Sequence, residues 1–397
     1  MGWKATELSY CTNVHPGESL SEINGNIEQF AGPVRHCAAL NSMNAGLWIS
    51  HQASRELMQA DASGSLHKTL QAQQLQVNSL NGFPYGNFHN KQVKEAVYSP
   101  DWADRKRLDY TLSLATILAG CLDEGVAEGT ISTLPLGFRK NWSALRHQDA
   151  LLNLLDLVEG LGRLEEKTGR HIRVCLEMEP GCVLEHTRQV VALFSRDLPK
   201  LAEEEGLDTA LINRYLGVCF DVCHQAVMFE RVGASLADLK RAGIAIGKIQ
   251  LSSALSLAIH QPSDIEQLLP FNEPRYLHQT SIRGMDGQVR YFNDLSEALE
   301  RMPPQSGQEW RVHYHVPLQL SVINERGLQT TRAVNEQVLS FLAENPQIRP
   351  HLEIETYTWE VLPESVRPVD KQSLVEGIEA EVRYVRQRMQ HYGLLEA

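Results

Sequence analysis

Leu176-Glu177-Met178-Glu179-Pro180-Gly181 and Leu352-Glu353-Ile354-Glu355-Thr356-Tyr357 are apolar, strand-like runs that end in carboxylates. Side chains alternate along a strand, so Glu177 and Glu179 share one face, as do Glu353 and Glu355. Carboxylates are seldom buried unless they are paired or hold a cation. Between these runs lies Cys219-Phe220-Asp221-Val222-Cys223-His224, which ends in an acid and an imidazole. Three strand ends carrying ligand-type side chains point to one shared site.

Around them, short strand-like runs alternate with amphipathic helical segments, the pattern of an α/β fold with parallel strands. Strands are expected at 8–14, 45–50, 75–80, 129–134, 171–179, 216–221, 245–251 and 351–357. Helical spacing of apolar residues predicts helices over 20–40, 54–73, 103–122, 143–168, 183–205, 235–242 and 330–344. Eight strand–helix units favour a (β/α)8 TIM barrel over an open sheet. No Gly-rich phosphate loop follows the first strand, and the polar residues gather at the C-terminal ends of several strands. The chain 1–397 reads as a single barrel domain with an insertion at about 256–316, between strands seven and eight, and a helical extension at about 365–397. Inside the insertion, Met285-Asp286-Gly287 marks a hairpin turn. The run Trp310 to Val316 is either an extra strand or a rival for one of the eight.

The net charge of −12, from 49 acids against 37 Lys and Arg, excludes the basic stripe of a nucleic-acid binder and leaves a small-molecule metabolite as partner. The seven cysteines, odd in number and mostly within apolar runs, suit reduced thiols rather than a disulfide framework. No apolar run reaches membrane-spanning length, and the first residues lack a signal core, so the cytoplasm is the expected location. Homo-oligomerisation stays open.

Glu177, Asp221 and Glu355 are the expected metal ligands, with Gln250 at the end of the intervening strand as a fourth. Oxygen ligands suit Mg²⁺ or Mn²⁺, and added imidazole moves the choice toward Mn²⁺ or Zn²⁺. His224, three residues after Asp221, is expected to contact substrate. His313 and His315 alternate, so on a strand they would share a face as a metal or proton-transfer pair. Asn81 opens the segment Asn81-Gly82-Phe83-Pro84-Tyr85-Gly86-Asn87-Phe88-His89, read as an aromatic binding wall, and His15 before Pro16 is a similar candidate.

With these residues assigned, the chain resembles the xylose-isomerase-like TIM-barrel superfamily, which includes sugar isomerases, ketose 3-epimerases and the endonuclease IV group. The resemblance lies in Glu177 after strand five, Asp221 and His224 as Asp-x-x-His after strand six, and Glu355 after strand eight. The strand-seven position falls on Gln250 in place of the usual His or Asp. The segments Tyr10 to Glu18, Asn81 to Gly86 and Glu355 to Trp359 are also similar to the EboE family of metabolite traffic proteins. What the resemblance implies is a divalent-metal-dependent isomerase or epimerase-like enzyme acting on a small cytosolic metabolite. Glu177 and Glu355 would then serve as ligands and proton-transfer groups. The alternative is a non-catalytic protein that binds and hands over a metabolite. An endonuclease IV-like phosphoesterase fits less well with the acidic charge.

Overall fold

The structure is a computed structural model that describes residues 2–59, 62–126, 128–140 and 142–396. In chain order, seven strands come first: β1 (Ser9–Tyr10), β2 (Met43–Trp48), β3 (Leu75–Asn81), β4 (Glu128–Thr133), β5 (His171–Glu177), β6 (Leu216–Asp221) and β7 (Ile246–Leu251). An excursion follows with β8 (Leu255–Ala258), β9 (Thr280–Arg283), β10 (Val289–Phe292), β11 (Glu309–Val312) and β12 (Gln329–Thr330). The chain then returns through β13 (His351–Ile354).

The eight strands outside the excursion form one parallel sheet in the order β1-β13-β7-β6-β5-β4-β3-β2. A parallel bridge from Cys11 to Gly46, just past β1, brings its two ends together, so the sheet is a nearly closed (β/α)8 barrel. The reason is visible in the strands: every residue of β2, β6 and β7 is buried, because helices cover one face and the barrel interior the other. The first strand is shorter than its apolar pattern predicts, since the chain turns into a 3-10 helix at Thr12–Val14. The expected helix over 54–73 is divided into His51–Leu57 and Ala62–Ala72, and part of the segment between them lies outside the described residues.

The run Trp310 to Val316 is not a barrel strand. It forms β11 only as far as Val312, in a separate antiparallel sheet ordered β10-β9-β11-β8-β12. The Asp286-Gly287 turn does join β9 to β10, with Gly287 at φ 76. This sheet reaches Thr330, so it extends beyond the boundary near 316 read from the sequence. After β11 the chain drops back onto the barrel mouth: Val316 N–H donates to Ser253 O (2.9 Å), and His313 N–H donates to Gln279 O (2.8 Å). The mouth thus receives side chains from the excursion as well as from strand ends.

The helix Lys371–His391 lays a stripe of buried residues, Val375, Ile378, Val382, Val385 and Met389, against the outer layer. Glu381 interrupts that stripe and is buried. Its carboxylate accepts from the Thr356 hydroxyl (2.6 Å) and from Leu318 N–H (3.0 Å), tying the exits of β13 and of the excursion to one helix. Burial pushes the Glu381 carboxyl up to about 7, against the pull of those donors. A carboxyl raised in the folded state adds stability that is full below its unfolded value of about 4.3 and is lost as pH climbs through the folded one. Glu381→Gln keeps an acceptor for both donors but cannot ionise. Urea unfolding at pH 5 and pH 8 should therefore show a smaller loss for the variant than for the parent, by up to about 3 kcal/mol.

Among the described residues, no helix is long and apolar enough to cross a membrane.

Candidate metal centre

Strand polarity places the C-terminal ends of β5, β6 and β13 at one mouth of the barrel, which brings Glu177, Asp221 and Glu355 together. Their carboxylate oxygens lie within 4.8 Å of one another, and all three residues are buried. Asp221 also caps the short helix Val222–Val227: its Oδ1 accepts from His224 N–H (2.9 Å) and from the Ser252 hydroxyl (2.9 Å). The cap is what turns His224 into the mouth, in reach of Asp221. Glu355 Oε1 accepts from the amides of Asn13 (2.8 Å) and Asn81 (3.0 Å).

The second half of the centre comes from the excursion. His313 Nε2 lies 3.1 Å from His224 Nε2 and 3.1 Å from His315 Nε2. Each ring has its other nitrogen on an acceptor. His224 Nδ1–H donates to Met178 O (2.9 Å), His315 Nδ1–H to Glu355 O (2.8 Å) and His313 Nδ1–H to Gln279 Oε1 (2.6 Å). Burial holds all three rings neutral: His224 is pushed down to about 4, His315 is lowered and His313 lies well below the usual range. A neutral ring with its proton on Nδ1 presents a lone pair at Nε2. Three lone pairs therefore face one another, an arrangement without a proton to hold it together and one that a cation would satisfy.

The carboxyl side makes the same demand. Burial, and then the neighbouring carboxylates, push Glu177 and Glu355 well above the usual range. At Asp221 burial works in the same direction, but the donors on Oδ1, and at low pH the protonated His224 and His315, outweigh it, so this carboxyl is lowered. Glu177 Oε2 and Asp221 Oδ2 are buried without a hydrogen-bond partner. Unpartnered buried carboxylate oxygens are costly and call for a cation or a proton. Asp221 joins the two halves, because its carboxylate also groups with His224 and His315 within 4.8 Å. The residues present fit a divalent metal ion.

Beneath the centre, inside the barrel, Lys248 Nζ pairs with Glu353 Oε1 at 2.7 Å, both fully buried. Burial alone would pull the ammonium down, yet the Glu353 carboxylate holds it well above the usual range. The carboxylate also passes so close to β2 that a Cβ on Gly46 would stand 1.6 Å from Glu353 Oε2. Only glycine leaves room there.

The candidates read from the sequence are distributed unevenly. Glu177, Asp221, Glu355, His224, His313 and His315 converge, and Asn81 meets them through Glu355. His313 and His315 do so from a loop beyond β11 and not from one strand face. Gln250 is buried at the end of β7, where its Oε1 accepts from the Cys219 thiol (3.1 Å) and its Nε2 has no partner. His15 is not brought to the pocket: it stacks on Phe30 (4.0 Å between ring centroids) and meets the Tyr10 hydroxyl (3.1 Å). Asn13, a strand-end amide like Asn81, meets Glu355, while Gln279 and Lys248 escaped sequence reasoning, since each acts on a residue distant in the chain.

Gln279 has a defined task. Its amide N–H donates to Glu179 Oε1 (3.1 Å) and Pro180 O (3.1 Å), which leaves Oε1 as the atom facing His313. Glu179, pushed up to about 8 by burial against the pull of Tyr98 and Gln279, completes that network. Gln279→Leu removes the acceptor that sets the His313 tautomer. Divalent-cation affinity measured by calorimetry should fall by about 10–100-fold.

A pocket of about 50 Å³ opens over the centre and is lined by Glu177, Glu179, His224, His313, His315 and Glu355 at its polar end. That encloses a few water-sized groups at the centre, and because the pocket is open toward solvent a longer ligand can extend outward along its wall.

These features define the class: a (β/α)8 barrel with a candidate metal centre at its C-terminal mouth. No protein-family model matches the chain, and no curated protein matches it. Among solved structures it is similar to a D-tagatose 3-epimerase-like protein, with 13% identity over 96% of this chain and 98% of that chain and a TM-score of 0.48. The IolI protein with a bound zinc atom is similar at 9% identity, 97% and 98% coverage and a TM-score of 0.47. An AP endonuclease of family 2 from Brucella melitensis follows at 14% identity, 68% and 90% coverage and a TM-score of 0.37. These likenesses are distant, and the chemistry is read from the side chains themselves.

Proposed function

We propose that this protein is a divalent-metal-dependent isomerase or epimerase-like enzyme for a small cytosolic metabolite that carries a carbonyl beside a hydroxyl. The observation that supports this most directly is the convergence of three neutral imidazoles and three buried carboxyls on one pocket, with two carboxylate oxygens unpartnered. Asp221 would hold the ion together with Glu177 and Glu355 or with His224 and His315, the two groupings that share it, leaving positions open for substrate. Three imidazoles favour Zn²⁺ or Mn²⁺ over Mg²⁺. Bound there, the ion supplies Lewis acidity to a carbonyl and its neighbouring hydroxyl.

The rest falls to the chain. With a cation beside it Glu177, whose Oε2 has no partner, would be held ionised and would take a proton from the carbon next to the carbonyl. Glu355, oriented by Asn13 and Asn81, returns one. Tyr98, Tyr276 and Tyr357 crowd water away from the reacting carbons.

Elemental analysis of the untreated protein should find Zn or Mn, and turnover of a hydroxycarbonyl panel should vanish in Glu177→Gln and Glu355→Gln. A metal-free preparation whose thermal midpoint neither ion moves would end this reading. Gln250 and the likeness to the EboE metabolite traffic proteins support a second one, a barrel that retains a metabolite for handover. A tightly retained compound in the purified protein, with no turnover of the panel, would favour it.

A further inference from the structure

The pocket is sharply divided. Its polar groups crowd the metal centre, while the wall leading away from it consists of Phe83, Pro84, Phe88, Val93, Val97 and Leu277. Tyr276 and Tyr357 extend this wall and are packed against Phe88, with ring centroids 5.3 and 5.2 Å from it and 5.1 Å from each other. The polar atoms that do reach the wall are engaged. The Tyr98 hydroxyl donates to Glu179 (2.7 Å), and the Lys94 ammonium is held by Asp294 (2.6 Å). The Tyr357 hydroxyl faces back to His313 Nε2 (3.5 Å).

A site for a polyol must offer each hydroxyl a partner, since a hydroxyl buried without one loses about 1–3 kcal/mol. Here the unpartnered polar atoms of the lining, Glu177 Oε2 and Asn13 Oδ1, lie beside the centre, and the apolar side chains beyond them offer none. An apolar group beyond them gains burial against aromatic and branched side chains.

We infer that the substrate is a hydroxycarbonyl compound with an apolar arm, such as an aryl or branched alkyl group, and not a free sugar. The inference rests on the metal-dependent reading above and concerns the same pocket.

Two probe ketones of opposite character test it on the Zn²⁺- or Mn²⁺-loaded protein by calorimetry: 2-hydroxyacetophenone, with a phenyl arm, and erythrulose, with a hydroxylated one. The expected result is metal-dependent binding of both, with the aryl ketone at least about tenfold tighter. Val97→Asn and Leu277→Asn, which offer new hydrogen-bonding groups on the wall and leave the centre intact, should narrow that ratio. Erythrulose binding as tightly as the aryl ketone, with both dependent on the metal, overturns the inference and leaves the enzyme reading standing. If the metal binds and neither ketone follows it, the enzyme reading falls and this inference with it.

Discussion

Asp221→Asn is expected to cut divalent-cation affinity by more than the ~10–100-fold that follows loss of a residue merely orienting a ligand. Asp221 is the one acid shared by the carboxylate half and the imidazole half of the centre. It is also the one the surroundings keep ionised, whereas Glu177 and Glu355 are held toward their protonated forms. Asn preserves the oxygen that caps the helix at Val222, so the local backbone should survive. The size of the stability change should then depend on the ion. In chelator the variant should melt at or below the parent, because the surroundings favour the ionised acid over a neutral side chain there. With Zn²⁺ or Mn²⁺ in excess the gap should widen, since an ion that binds only the folded state stabilises the parent by mass action. Paired thermal melts in chelator and in metal measure that widening, and a gap that neither ion changes would refute the centre.

Lys248→Met should be the most destabilising single change in the barrel interior, by about 3–5 kcal/mol. The ammonium and the Glu353 carboxylate are fully buried 2.7 Å apart, and removing one leaves the other charge without its counterion. Gly46 has already given up its side chain to make room for that carboxylate, so the barrel cannot relax around it cheaply. Adding Glu353→Gln to Lys248→Met should recover much of the loss, because the cost lies in the orphaned charge more than in the missing attraction. Denaturant unfolding of the two variants measures both terms.

The legibility of the site followed the range of the interactions. Asp-x-x-His was readable because Asp221 and His224 are joined by one turn of chain, an N-cap that acts locally. Glu177 and Glu355 were readable because a carboxylate at the end of an apolar strand is conspicuous wherever the strand ends up. His313 and His315 stand out in the sequence as an unusual pair of imidazoles, but the strand face they would share does not form. β11 stops at Val312, and the pair reaches the centre on a loop. His15 shows the reverse error: a polar residue beside a turn looks functional, but the chain folds it under Phe30.

From the sequence alone came the alternation of strands and helices, the acidic strand ends and hence the parallel barrel with candidate ligands at one mouth. Strand periodicity and the burial cost of charge are properties of short segments, so they survive without knowledge of neighbours. Tertiary structure alone decided that an inserted sheet completes the centre, that Gln279 sets the proton on His313, and that Lys248 answers Glu353. Those contacts join residues far apart in the chain, and local pattern carries no record of which distant atoms the closed barrel will bring within hydrogen-bonding distance.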